Sequence, residues 1–131
     1  MRFMVLMMAL FAMLMGVELK WSSDYEAALA EAKKEKKDVY LFLGSEYCKY
    51  CEKFKEEVLV RKDVEAKLKK KYVLLYLSRD IDDIPAHLET KPVPRHYFLK
   101  SDGKIIYTTI GGRSLEGFEE MLADVDEAKK D

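Results

Sequence analysis

The chain has 131 residues, of which 49% are hydrophobic and 36% are charged, and its formal net charge at pH 7 is −1. A chain of this length forms one domain with a substantial core and is too short for two. Because 23 Lys and Arg residues are balanced by 24 Asp and Glu residues, no basic excess is available to neutralise phosphates, and we expect no nucleic-acid partner.

The N-terminal residues have the pattern of a secretory signal. Arg2 is followed by an uncharged run over residues 3–17 that is rich in Met and Leu, which gives a short basic start and an apolar middle. These 15 residues are fewer than the roughly 20 that a membrane-spanning helix needs. We therefore expect a signal peptide over residues 1–16, cleaved near Gly16, a folded domain over residues 17–131, and a periplasmic or secreted protein. In the alternative, the signal stays uncleaved and anchors the protein to the membrane.

The first two predicted elements are a helix and a buried strand. The helix spans residues 21–34, with Ser22 or Ser23 as its N-cap. Residues 39–43 form a continuous β-branched, aromatic and aliphatic run, which is typical of a strand buried on both faces. The helix has an apolar stripe, whose two aromatic residues we expect to anchor the core: Trp21, Tyr25, Ala28, Leu29 and Ala32.

Both cysteines of the chain, Cys48 and Cys51, lie where this strand gives way to a helical pattern. The first turn of a helix presents unpaired N–H groups and the positive end of its dipole, and both favour a thiolate over a thiol. Cys48 is therefore the predicted nucleophile; Lys49 strengthens this effect, whereas Glu46 and Glu52 oppose it. Cys51 lies one helical turn further on, within reach to close a disulfide and release a bound partner.

Two other roles for the cysteine pair agree less well with the sequence. A disulfide across so short a spacer constrains almost nothing in the unfolded chain, which argues against a purely structural bond. A zinc site needs two more ligands, and only His87 and His96 remain besides carboxylates, at a spacing that is neither helical nor knuckle-like. We therefore predict no metal and no organic cofactor, and we expect His96 in the core and His87 exposed.

A second helix, a second strand and a proline-containing segment follow. Asp63 is the predicted cap of the helix, and residues 72–77 form an apolar strand that runs parallel to the first through the helical crossover. A short helix is predicted around residues 86–88. Pro92 and Pro94 come next, and they cannot both lie within a paired strand.

An antiparallel hairpin and a last helix complete the pattern. Residues 96–99 and 104–110 are predicted strands, joined by a turn that contains Asp102-Gly103, a strong hairpin signal. Gly111-Gly112 ends the hairpin, and Ser114 is the predicted cap of the last helix. The apolar face of this helix comprises Leu115, Phe118, Met121, Leu122 and Val125.

This order of elements resembles the thioredoxin-like fold, and specifically the small exported thioredoxin-like proteins. The resemblance covers roughly residues 19–128 and rests on three features in the same order: Cys48-Lys49-Tyr50-Cys51 after a buried strand, Val93-Pro94 before the hairpin, and Gly111-Gly112 before the last helix. It implies an α/β fold whose mixed central sheet combines a parallel unit with an antiparallel hairpin and is flanked by helices.

The resemblance also implies a substrate-binding groove beside the cysteines. In this family the proline that corresponds to Pro94 is cis and faces the cysteines; we choose Pro94 over Pro92 because it lies nine residues before Gly103. The backbone of Val93 can pair with an extended substrate segment. The implied groove is lined by Tyr47, Lys49, Tyr50, Val93, Pro94 and the Gly111-Gly112 loop.

Two departures from thioredoxins proper concern the chemistry. Thioredoxins carry Trp-Cys-Gly-Pro-Cys, whereas this chain has Tyr47 before the first cysteine and Lys49-Tyr50 between the two. They also bury an acid six residues before the first cysteine, where this chain has Phe42. The group thought to move the proton of the second cysteine is therefore absent, and a water or Glu46 is the candidate substitute.

The sequence predicts an exported thiol–disulfide oxidoreductase that acts through Cys48 and Cys51 on protein disulfides or thiols. We expect a monomer whose electrons come from, or go to, a membrane redox partner or another thioredoxin-like protein. Reduction is favoured over oxidation because the chain lacks the large helical insertion typical of exported oxidants. The alternative is a non-catalytic binding module or metallochaperone in which the pair holds copper(I) or zinc.

Overall fold

A computed structural model describes residues 19–130 of the chain. The expected signal peptide over residues 1–16 and the expected domain boundary at residue 17 lie outside the described residues. The elements in chain order are α1 (Tyr25–Glu35), β1 (Asp38–Gly44), α2 (Lys49–Phe54), a π-helical segment (Lys55–Leu59), α3 (Lys62–Lys69), β2 (Tyr72–Ser78), β3 (Arg95–Leu99), β4 (Ile105–Ile110) and α4 (Leu115–Lys129).

The four strands form one mixed sheet in the order β2-β1-β3-β4. Strands β1 and β2 are parallel, and the chain between them supplies α2, the π-helical segment and α3 as the crossover. Strand β3 is antiparallel to β1, and β4 is antiparallel to β3. This arrangement confirms the predicted fold class, a parallel unit joined to an antiparallel hairpin and flanked by helices.

Two hydrophobic cores lie on opposite faces of the sheet, because successive side chains of a strand point to opposite sides. Tyr40 and Phe42 of β1 belong to the core under α2, α3 and α4, which also contains Cys51. Leu41 and Leu43 belong to the core under α1. Strand β1 is therefore covered on both faces, as its uninterrupted apolar sequence predicted.

The predicted start of the first helix is wrong. The helix α1 begins four residues later than Trp21, and its N-cap is neither Ser22 nor Ser23 but Asp24, whose carboxylate accepts the N–H of Ala27 at 3.0 Å. A carboxylate at this position also interacts favourably with the helix dipole.

The preceding residues are extended because they pair with the edge strand. The N–H of Ser22 donates to the carbonyl oxygen of Leu74 at 3.1 Å, and the N–H of Tyr76 donates to the carbonyl oxygen of Ser22 at 2.9 Å. These two hydrogen bonds hold Trp21 against the core below α2, where its ring packs edge-on to Tyr40 at 5.7 Å between centroids.

Two further local predictions are wrong and one is confirmed. The N-cap of α3 is Arg61 and not Asp63, because the Asp63 carboxylate lies in the first turn and accepts two hydrogen bonds from the Arg61 guanidinium at 3.1 Å. Residues 86–88 form a turn and not a helix. Ser114 caps α4 as predicted, since its hydroxyl oxygen accepts the N–H of Gly117 at 3.1 Å.

Across residues 19–130, no helix has both the length and the apolar character needed to cross a membrane.

Candidate active site

The two cysteines form a disulfide at the point where β1 leads into the crossover. Cys48 is the N-cap of α2, with an extended backbone at φ −116° and ψ 100°, and its Sγ accepts the N–H of Cys51 at 3.1 Å. Because the first N–H groups of a helix have no partner within the helix, a sulfur in this position is stabilised as a thiolate once the disulfide is reduced.

The two sulfur-bearing residues differ in exposure. Cys48 is half-buried, whereas Cys51 is fully buried in the core under α2. Only Cys48 can therefore be reached by a partner disulfide or thiol. The neighbouring side chains are open to solvent: Tyr47 is 98% exposed, Tyr50 is 69% exposed, and Lys49 is also exposed.

The proline segment lies at the same end of the sheet as the cysteines. Leu43 of β1 is paired with Arg95 of β3, which places Pro94 next to Gly44 at the end of β1. Pro94 is buried, and the Val93–Pro94 peptide bond is cis. The Lys91–Pro92 bond is cis as well, although the sequence predicted a cis bond only at Pro94.

The Gly111-Gly112 loop borders both the proline segment and α2. The N–H of Gly111 donates to the carbonyl oxygen of Pro94 at 2.8 Å, and Gly111 has φ +102°, a conformation that favours glycine. A Cβ on Gly112 would lie 3.5 Å from the carbonyl oxygen of Tyr50, so the loop runs against α2. A pocket of about 270 Å³ opens between them, lined by Tyr50, Lys53, Phe54, Glu57, Gly112, Arg113 and Ser114.

His96 supports this loop from the core. Its Nδ1 lies 2.7 Å from the hydroxyl oxygen of Tyr40, and its Nε2 lies 2.8 Å from the carbonyl oxygen of Gly111. A carbonyl oxygen can only accept, so Nε2 carries the proton and the Tyr40 hydroxyl donates to Nδ1. Burial lowers the pKa of His96 to about 4, so its ring is neutral at pH 7.

The histidines do not join the cysteines in a metal site. His96 has both ring nitrogens engaged as described, and His87 is exposed with its Nε2 at 2.9 Å from the carbonyl oxygen of Gly103. Within residues 19–130, no three His, Cys, Asp or Glu side chains converge in a way that could hold a metal ion.

The position where thioredoxins bury an acid is occupied by the ring of Phe42, which is fully buried. Phe42 pairs with Tyr76 of β2 across the parallel ladder. A Cβ on Gly44 would lie 3.2 Å from the hydroxyl oxygen of Tyr76 and 3.3 Å from Cys51 Sγ, so these two atoms flank the same gap. Glu46, which with a water was the candidate substitute for the acid, is exposed.

Sequence reasoning missed a buried lysine near this gap. The side chain of Lys55 is only 7% exposed, with its Nζ at 2.7 Å from Glu52 Oε1 and at 4.6 Å from the ring centroid of Tyr76. Burial lowers the pKa of Lys55, but its interactions with the Glu52 carboxylate and with Tyr76 more than offset this and raise the pKa above its ordinary value. The available signal was the four-residue spacing from Cys51, which puts both side chains on one face of a helix.

The chain is similar in sequence to a protein family and to a curated protein. A family model described as thioredoxin-like matches residues 20–101. Anterior gradient protein 3 of Mus musculus is 25% identical over 84 residues, which are 64% of this chain and 51% of the mouse protein; the chain therefore spans about half the length of this curated relative.

Two solved structures are similar in fold. A thioredoxin from Thermus thermophilus is 24% identical, with a TM-score of 0.65 over 83% of this chain and 88% of its own. A DsbH oxidoreductase is 20% identical, with a TM-score of 0.63 over 88% of this chain and 87% of its own.

Proposed function

Because the chain belongs to the thioredoxin-like family, we propose that it is a thiol–disulfide oxidoreductase that exchanges disulfides with protein substrates through Cys48 and Cys51. The observation that carries this proposal is the asymmetry of the pair. One sulfur is accessible at a helix start and accepts a backbone N–H, and it is bonded to a second sulfur that is fully buried.

The geometry supports a two-step exchange. In the reducing direction, the Cys48 thiolate attacks a substrate disulfide, one substrate sulfur leaves as a thiolate, and a mixed disulfide forms. Cys51 then loses its proton and attacks Cys48 Sγ, which releases the second substrate thiolate and leaves the Cys48–Cys51 disulfide. The substrate gains two electrons and two protons, and a reducing partner restores the dithiol. Oxidation of a substrate is the same sequence reversed.

The surroundings of Cys48 suit an extended protein segment. Tyr47 and Tyr50 offer exposed aromatic surface on either side of the reactive sulfur, and Lys49 adds a positive charge. Val93 lies where the chain enters the buried Pro94, and we propose that its backbone pairs with the substrate as an added strand.

We further propose that the protein is exported and works as a reductase, supplied with electrons by a membrane redox partner or another thioredoxin-like protein. The basic and apolar pattern of residues 2–17 supports export. The segment between β2 and β3 contains turns and no helix, which supports the reducing direction because exported oxidants carry a large helical insertion.

Trapping of substrates tests the roles of the two sulfurs. The purified protein should reduce insulin in the presence of dithiothreitol, and Cys48→Ala should abolish this activity. Cys51→Ala should accumulate mixed disulfides with substrate proteins, whereas Cys48→Ala should not, because only the accessible sulfur can begin the exchange. If Cys48→Ala traps covalent complexes and Cys51→Ala does not, the roles of the two cysteines are reversed.

Equilibration with glutathione buffers tests the direction. A reductase should have a reduction potential near the value of about −270 mV that is typical of thioredoxin, whereas a potential near about −120 mV would make the protein an oxidant. Mass spectrometry of the mature protein from a bacterial periplasmic fraction tests export. Loss of residues 1–16 is expected, and retention of these residues in the membrane fraction would show an anchor.

A further inference from the structure

Lys55 is a buried charged residue one helical turn after the resolving Cys51, and the exchange mechanism leaves it unused. We propose that Lys55 promotes ionisation of the Cys51 thiol during resolution of the mixed disulfide. It would do so in a site where Phe42 replaces the buried acid of thioredoxins. This inference rests on the proposed oxidoreductase function. Lys55 does not touch the reacting sulfurs in its assigned role and is therefore a positioning residue that acts through its charge.

The helix and strand β2 together fix the lysine on the inner side of the site. Lys55 follows Cys51 by four residues, and its N–H donates to the carbonyl oxygen of Cys51, so the two side chains share a helix face. Its ammonium group bonds to Glu52 at 2.7 Å and lies over the ring of Tyr76 at 4.6 Å. The hydroxyl of Tyr76 and Cys51 Sγ flank the same gap at Gly44.

A buried thiol resists ionisation unless a positive charge lies nearby, because a low-dielectric environment disfavours the thiolate. Lys55 supplies that charge permanently, since Glu52 and Tyr76 keep it protonated. The apolar ring of Phe42 lies on the β1 side and supplies no charge.

The carboxylates on the elements next to Lys55 are more exposed than the lysine. Glu52 on the same helix has a side chain that is 45% exposed, and Glu46 in the preceding loop and Asp80 after β2 are exposed. On β3, His96 is neutral at pH 7. Water screens the exposed carboxylates more than the buried ammonium group, so the net field at Cys51 favours the thiolate.

Resolution of the mixed disulfide by Cys51 needs no further reactant. In the mixed disulfide, Cys51 gives its proton to solvent and the thiolate attacks Cys48 Sγ. The bond between Cys48 and the substrate breaks, and the substrate sulfur leaves as a thiolate. Lys55 keeps its protons throughout.

Two-phase oxidation by 5,5′-dithiobis(2-nitrobenzoate) tests the proposal. The reduced protein should release one thionitrobenzoate when Cys48 attacks the reagent and a second when Cys51 resolves the mixed disulfide. Stopped-flow absorbance follows both phases as a function of pH. In Lys55→Met, the pH midpoint of the second phase should rise by about one unit, the shift that loss of a nearby opposite charge produces.

The rates of the two phases should show which of the two cysteines Lys55 affects. At pH 7 the second phase of Lys55→Met should slow about threefold, because a tenfold loss of thiolate is partly offset by the greater nucleophilicity of a more basic thiol. The first phase should change less than the second. Lys55→Arg should restore the midpoint, because it keeps the charge.

Lys53→Met is the matched control, since it removes an exposed lysine from the same helix. A midpoint that moves no further in Lys55→Met than in Lys53→Met would overturn the inference, as would equal slowing of both phases. If circular dichroism shows that Lys55→Met is unfolded, Lys55→Gln takes its place with the same expectation. A wild-type protein that shows no second phase and reduces no insulin would overturn the proposed function itself.

Discussion

The ring of His96 links the centre of the sheet to the loop beside the cysteines. Tyr40 donates to one ring nitrogen, and the other donates to the carbonyl of Gly111, whose N–H in turn donates to Pro94. The sequence predicted a packed or hydrogen-bonded histidine, but not this connection. It arises because Phe42 and His96 are cross-strand partners, a register that only the folded sheet defines.

Stability should therefore depend on pH through His96. Its pKa is about 4 in the folded protein against 6.5 for an ordinary histidine, so between these values the unfolded chain binds a proton that the folded protein excludes. The contribution of neutral His96 to the free energy of unfolding should be fully present above pH 6.5. The free energy of unfolding should then fall by about 3 kcal/mol as the pH decreases to 4. Urea unfolding at a series of pH values measures this slope.

The two histidines provide an internal comparison for that slope. His96→Gln should be less stable at pH 7 and should lose this part of the pH dependence. His87→Gln should keep it, because His87 is exposed. A wild-type slope no steeper than that of His96→Gln would contradict the assignment.

At the level of whole elements, continuous apolar runs and a helix cap were predictable. The runs over residues 39–43 and 72–77 became β1 and β2, and Ser114 caps α4. The start of α1 was not predictable, because Ser22 is a good cap by residue type but its backbone is engaged by β2. Local preference gave way to tertiary pairing there.

At the candidate site, too, features set by tertiary pairing could not be predicted from the sequence. Cys48 and Cys51 were found from their spacing and from the junction of strand and helix. The environment of Cys51 was not, because Tyr76 comes close to it only through the register of β1 and β2. The π-helical turn that follows α2, with the N–H of Val60 donating to the carbonyl oxygen of Lys55, has no signature in the apolar spacing.

Substitution of Ser114 tests whether its side chain stabilises the start of α4. Ser114→Ala removes the acceptor for the N–H of Gly117 and should lower the free energy of unfolding by about 1 kcal/mol. Ser114→Asp should retain that stability, since a carboxylate caps as well as a hydroxyl and complements the helix dipole. Chemical denaturation of both variants measures the difference, and equal losses in both would refute a capping role.

For the molecule as a whole, the sheet is shared by two cores. Every residue of β1 from Val39 to Leu43 is fully buried and contributes to one core or the other. Neither layer of helices can separate from the sheet without exposing apolar surface on β1. We therefore expect the described domain to unfold as one cooperative unit.

Substitutions in each core should lower a single transition. Leu68→Ala removes a side chain from the core under α3, and Leu99→Ala removes one from the core under α1; each should cost about 2–5 kcal/mol. Fluorescence of Trp21, the single tryptophan of the chain, and far-UV circular dichroism should report the same midpoint in both variants. Separate midpoints in either variant would show that the two cores unfold independently.

The short pairing of Ser22 with β2 has a consequence for self-association. Strand β2 is an outer strand of the sheet, and an unpaired strand edge is a template on which another chain can add. Ser22 occupies part of that edge with its own backbone. Removal of the residues before Asp24 would uncover these hydrogen-bonding groups and take Trp21 from the core below α2, so a shortened chain should aggregate more readily although its cysteines and the core under α1 are complete.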